Sequence, residues 1–218
     1  MSTPRRLPRG RNALPLEEVA RLQRERLCRA MAEAMAEEGY AGTSVEDVLK
    51  RARVSRLSFY RLFDSKLDCF TASLDRANEL LLGWITDAIG TSGTGGDPVE
   101  RYERALGAYF DMIEAEWAYA RLCMVEVYAA GPGAVSHRSG IHEAMVALHA
   151  EVLGVTDEQG LLACHMLVAA TVALTTPLAA ENDREGLRSV GPQLVAYVRS
   201  LWNAGVFGAG TGPVSQRV

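Results

Sequence analysis

The sequence predicts an all-α protein of about nine helices, an N-terminal three-helix helix-turn-helix unit followed by a larger helical body. Three observations carry this expectation. Apolar residues recur at i, i+3 and i+4 spacing along most of the chain. No segment alternates polar and apolar residues with the Val, Ile, Thr and aromatic enrichment of strands. Helix starts are marked by Pro15, Ser44 and Ser55, and Gly39 marks a stop.

The first helix is expected over residues 16–38, with Glu17 and Glu18 in its first turn, where the helix dipole favours negative charge. Leu27, Ala30, Met31, Ala34 and Met35 form its buried stripe. Ser44-x-x-Asp47 is a near capping box that opens a second helix running to about residue 52. After a break at Arg53 and Val54, Ser55 caps a third helix that ends near Phe63. Asp64 and Ser65 start a fourth, striped by Leu67, Phe70, Leu74, Ala77, Leu81, Trp84 and Ile85. The segment TSGTGGDP reads as a linker, because no strand precedes it and no GK[ST] follows to make a phosphate cradle. Five more helices are expected at roughly 98–116, 117–130, 133–153, 157–181 and 184–204. The last carries Leu187, Val190, Leu194, Val198, Leu201 and Trp202 on one face. Residues 205–218, rich in Gly and without periodicity, are expected to be a frayed tail.

Composition narrows the function. With 48% hydrophobic and 23% charged residues, the chain has the make-up of a soluble globular protein with a sizeable core. Its net charge of −4 conceals a split. Residues 1–66 hold 14 Lys and Arg against 9 Asp and Glu, whereas residues 67–218 hold 9 against 18. A basic head on an acidic body points to a head that meets phosphates. Cys28, Cys69, Cys123 and Cys164 show no CxxC and no His at metal-finger spacing, so they read as free thiols of a reducing cytoplasm, with no metal site or cofactor. The N-terminus is basic but leads into no apolar stretch of a secretory signal. Residues 161–180 carry no charge, yet His165, three Thr and Pro177 interrupt the run and no Lys or Arg flanks it closely. It reads as a helix buried on all sides, the second side against another subunit, and not as a membrane span. Catalytic motifs are missing from the sequence: His142-Glu143 begins like HExxH but position 146 is Val, and there is no GxSxG.

Residues 43–66 hold the most information. Two short capped helices joined by a tight turn make a helix-turn-helix candidate. Val45, Val48, Leu49, Val54, Phe59, Leu62 and Phe63 supply its core, and Arg56, Leu57, Ser58, Tyr60 and Arg61 project from the start and outer face of the second helix. Arg can donate two hydrogen bonds to guanine in the major groove, Ser serves several bases, and apolar groups meet the thymine methyl. Ser44, Tyr60 and Lys66 are placed for phosphate contacts that fix register. The arm with Arg5, Arg6, Arg9 and Arg11 suits the neighbouring minor groove.

The strings Thr43-Ser44-Val45-x-Asp47-Val48, Ala52-x-Val54-Ser55, Phe59-Tyr60-x-x-Phe63 and Ser65-Lys66, preceded by Gly39-Tyr40, resemble the DNA-binding motif of the TetR family of transcriptional regulators. The resemblance departs at Arg53, where the family usually has Gly, and at Leu57, often Gly or polar. It implies a DNA-binding domain at 1–66 and, at 67–204, a domain that binds a small effector and dimerises through the helices at 157–181 and 184–204. Candidate effector contacts are Tyr109, Phe110, Met112, Trp117, Tyr119, Cys123, Met124, Tyr128 and His165, a set suited to an apolar or aromatic molecule. The implied function is a cytoplasmic homodimeric repressor on double-stranded DNA, released from a palindromic operator when the effector shifts the helix at 66–90. The alternative is a helical ligand-binding or interaction protein whose helix-turn-helix no longer binds DNA.

Overall fold

The computed structural model describes residues 15–90 and 97–207; the arm with Arg5, Arg6, Arg9 and Arg11, the centre of the 91–98 linker and the tail from 208 lie outside the described residues. The described residues form nine helices and no strand, if one composite helix is counted once. These are α1 (Leu16–Gly42), α2 (Val45–Ala52), α3 (Arg56–Leu62), α4 (Lys66–Ile89), α5 (Pro98–Ala115), the composite α6, α7 (Pro132–Leu153), α8 (Glu158–Ala180) and α9 (Arg184–Asn203). Within α6, a π-helical turn (Leu122–Glu126) separates Trp117–Arg121 from Val127–Ala129.

Local chemistry sets the boundaries. Gly39 leaves the helical region at φ 71°, ψ 168°, which kinks α1 at the expected stop, and the last turn to Gly42 follows this kink. The Ser44–Asp47 capping box is complete: the Ser44 hydroxyl accepts from Asp47 N–H while Asp47 accepts from Ser44 N–H. Ser55 Oγ accepts from Ser58 N–H at 3.1 Å to start α3, and Ser65 Oγ accepts from Asp68 N–H at 3.0 Å to start α4.

Between α2 and α3, Arg53 takes the left-handed conformation, φ 54° and ψ 45°. A side chain there costs about 1–2 kcal/mol relative to Gly. Arg26 of α1 offsets part of this by donating to the carbonyls of Ala52 and Arg53 at the exposed end of α2. Arg53→Gly is therefore expected to stabilise the protein by about 1 kcal/mol, a rise of roughly 2–4 °C in melting temperature by circular dichroism. An unchanged or lower melting temperature would contradict the strain.

Two large apolar clusters organise the molecule. The first joins α1, α2 and α3 through Met31, Met35, Val48, Phe59 and Phe63, and extends through Phe70 of α4 to Tyr119, Leu122 and Val127 of α6 and Ala134 of α7. The core of the head is thus continuous with part of the body. The second gathers Leu81 and Ile85 of α4 with Tyr102, Met112, Leu153, Leu167 and Val198 from α5, α7, α8 and α9. α4 runs from one cluster into the other. Trp84, expected in the α4 stripe, is instead exposed, because the stripe drifts around the helix once α5 replaces α1 as its neighbour.

α8 is long and apolar enough to cross a bilayer on length and composition alone. In one copy of the chain only its inner side is covered, by the π turn, α7 and α9. Leu162 is 60% and Met166 62% exposed, so burial on all sides is not achieved within the chain. The expected α9 stripe of Leu187, Val190, Leu194 and Val198 is buried within the same chain, facing α5 and α8, and Tyr197 faces out.

Candidate nucleic-acid interface and ligand cavity

α3 is a seven-residue helix with one fully buried side chain, Phe59, which packs against Phe63 at a ring distance of 5.6 Å. This anchor turns Arg56, Leu57, Tyr60 and Arg61 outward; Leu57 is 64% and Tyr60 49% exposed. Neither Arg56 nor Arg61 forms an ion pair among the described residues, whereas Arg51 is neutralised by Glu37 and Lys50 by Glu46. Arg56 and Arg61 of α3, with the exposed Arg53 in the turn before it, are left for an outside partner. Ser58 belongs to the cap, its hydroxyl bonded to Ser55 Oγ at 3.0 Å.

Two expected phosphate contacts stand differently. Lys66 points inward: its Nζ donates to the carbonyls of Tyr40 at 2.8 Å and Thr43 at 3.0 Å and sits 4.0 Å from the Tyr40 ring centroid. Partial burial pushes its pKa down. Lys66 ties the end of α1 to the start of α4, which commits two of its three N–H donors to main-chain carbonyls. Ser44 is exposed, but its N–H and hydroxyl are taken by Asp47, whose carboxyl is held below the usual range by those bonds.

The body encloses a cavity of about 150 Å³ between α4, α5, α6, α7 and α8. Its wall is almost wholly apolar and includes Leu74, Ile85, Leu106, Tyr119, Ile141 and Val168. Of the expected effector contacts, Tyr109, Met112, Tyr119, Cys123 and Met124 line it. Burial raises the pKa of Tyr109 to about 12, and that of the Cys123 thiol to about 12, so both are neutral. The other four are elsewhere. Phe110 and Trp117 line an outer groove of α5, α6 and α9, where Arg184 covers the Trp117 ring at 4.4 Å. Tyr128 is 52% exposed, His165 is exposed as well, and both border a shallow groove beside α7 and α8. Helical periodicity alone could not say which apolar face of α5 or α8 turns inward.

The cavity also has polar lining that sequence reasoning missed: Asn78, Tyr102, Arg138, His142 and His149. Spacing held a signal, since Tyr102 and Tyr109, like His142 and His149, lie seven apart on one helical face. Arg138 is the one Lys or Arg in the lining, and its Nη2 donates to Tyr128 at 2.9 Å. His142 and His149 are pushed by burial toward the neutral form, and His149 Nδ1 bonds the Met145 carbonyl at 2.8 Å.

The π turn links this cavity to the head. Cys123 and Met124 face the cavity, while Glu126 of the same turn is 7% exposed and accepts from the Tyr40 N–H at 2.8 Å. π turns frequently mark functional positions in helices.

Residues 27–72 match the profile of bacterial regulatory proteins of the tetR family. The head is thus similar to the DNA-binding domain of the TetR family. Over 121 residues it is 31% identical to the HTH-type transcriptional activator FasR of Mycolicibacterium smegmatis, a match covering 56% of this chain and 52% of FasR. The chain thus spans about half the length of that curated relative. Among solved structures, a transcriptional regulator from Rhodococcus sp. Rha1 superposes with TM-score 0.60 at 24% identity, covering 83% of this chain and 96% of that one. FadR from Bacillus subtilis, solved with stearoyl-CoA, gives TM-score 0.66 at 14% identity, covering 79% and 95%. The fatty acid degradation regulator FadR from Bacillus halodurans gives 0.69 at 15%, covering 87% and 96%. These similarities establish a TetR-type fold across the head and body.

Proposed function

We propose that this protein is a ligand-responsive, TetR-family transcriptional regulator of the cytoplasm. Residues 1–66 form its DNA-binding domain, and residues 67–204 bind an apolar effector and a second copy of the chain. The observation that carries the reading is the outer face of α3: Arg56, Leu57, Tyr60 and Arg61 stand exposed and uncompensated on a helix pinned by Phe59. That set offers bidentate donors for guanine, contacts for thymine methyls and a phenol for phosphate. In a symmetric dimer built on the exposed faces of α8 and α9, two such helices address half-sites about 34–36 Å apart on a palindromic operator.

The effector site is the enclosed cavity, whose wall suits a hydrocarbon skeleton and whose single arginine, Arg138, suits an acidic end. The stearoyl-CoA held by the like-folded FadR supports an acyl chain as one such molecule. Occupancy acts on the head through α4 and through Glu126, and releases the operator, which makes the protein a repressor. A second reading, activation of transcription, is favoured by the match to FasR, named an activator.

Selection of random duplexes followed by gel-shift tests the proposal. Saturable binding to a palindrome that weakens steeply with salt is expected. Arg56→Ala should cost about 1–3 kcal/mol and relax preference at one position of each half-site. Binding that never exceeds that to scrambled DNA would instead favour the ligand-binding protein without a DNA role. A reporter carrying the selected site distinguishes repressor from activator.

A further inference from the structure

Two polar groups in the cavity wall lack partners. The Tyr102 hydroxyl, on a side chain only 2% exposed, and the Asn78 carbonyl oxygen are both buried without a hydrogen bond. Each lines the cavity, and their helices, α5 and α4, pack directly against each other. Buried polar groups are nearly always paired in native structures, and a pair left open inside an apolar wall marks a place kept for a ligand atom.

The chemistry of that atom follows from its neighbours. Tyr102 offers an O–H, Asn78 an acceptor. Around them the wall is neutral: burial keeps Tyr102 and Tyr109 protonated, and the His149 ring, packed edge-on at 5.6 Å from Tyr102, is pushed toward its uncharged form. Arg138 and His142, which also face the cavity, come from α7 about three and two turns before His149. A carboxylate could accept from Tyr102 but has no hydrogen to donate to the Asn78 carbonyl oxygen. A ketone could accept from Tyr102 but would leave Asn78 open. An alcohol accepts from the first and donates to the second.

We propose that the effector carries a hydroxyl group set within its hydrocarbon skeleton, read by Tyr102 and Asn78, so that the cavity selects hydroxylated over plain chains. This rests on the cavity being the effector site. Sites built to hydrogen-bond a ligand hydroxyl discriminate strongly against the analogue lacking it, because the site's own groups are then left unpaired.

The test is calorimetric titration of the full-length protein with decanoate and each of its monohydroxy isomers. One isomer is expected to bind about tenfold more tightly than decanoate, and Tyr102→Phe should bring the two affinities to within about twofold of each other. The melting temperature of Tyr102→Phe should not fall, since the change removes an unpaired buried hydroxyl; Asn78→Leu provides an independent second variant. Equal binding of all isomers and decanoate, or an equal loss for both in Tyr102→Phe, would overturn hydroxyl selection alone. Absence of saturable binding by every probe would overturn the effector cavity and hydroxyl selection together.

Discussion

Phe59→Ala should destabilise the protein by about 3–5 kcal/mol and abolish operator binding at temperatures where the native chain is fully folded. Phe59 has no exposed surface and is the one buried side chain of α3, so its ring holds that short helix in place. Seven residues are too few for a helix to persist on propensity alone; tertiary packing must supply the stability. The cavity left behind cannot close easily, because Phe63, Val48 and Met31 around it belong to the same tightly buried cluster. That cluster continues into Tyr119, Leu122 and Val127, so the head should not melt by itself. Thermal unfolding by circular dichroism should show one transition displaced downward by roughly 10 °C or more. A separate early transition for the head, with the body unmoved, would show that the two cores are not coupled.

Leu162→Glu should convert a two-copy protein into single copies and weaken operator binding by about 100-fold or more, the advantage of two linked half-site contacts. Leu162 and Met166 project from one face of α8 at more than half exposure, and Leu174 continues the line. Residues 161–180 carry no charge, and that much apolar surface in water is what an association surface presents. A carboxylate placed there meets its own copy across a twofold axis and must be desolvated against apolar neighbours. Since position 162 is exposed within one chain, the fold itself should lose less than about 1 kcal/mol. Sedimentation velocity at micromolar concentration and quantitative gel-shift read the two effects. A wild-type protein that sediments as a single copy, or a variant that still sediments as two, would remove this face from the interface.

The head was legible in the sequence almost atom by atom, because its determinants are local. Ser44, Asp47 and Ser55 act within three residues of themselves, and Gly39 announces its backbone geometry by residue type, whereas Arg53 conceals a left-handed turn. The outward set on α3 followed once Phe59 was taken as the anchor. The inward bonds of Lys66 were not legible, because its partners, the carbonyls of Tyr40 and Thr43, are more than twenty positions away and are main-chain groups that no sequence pattern displays. The cavity was half legible for the same reason. Tyr109 and Phe110 are adjacent aromatics in one apolar helix, and only the packing of α9 against one side and α6 against the other sends one inward and its neighbour out. The extra residue of the π turn has no local signature either, since Leu122–Glu126 would continue an ordinary helix equally well.

The Glu126–Tyr40 hydrogen bond also has an unequal tolerance of mutation at its two ends. Its donor is a main-chain N–H, which every residue except proline provides, whereas its acceptor is one carboxylate oxygen. Position 40 can therefore drift among side chains while the link persists, and position 126 cannot. Gly39 narrows the choice further, for its φ of 71° suits few other residues. A change of operator or effector preference can rewrite the outer face of α3 and the cavity wall, while Gly39 and Glu126 keep the link between head and body.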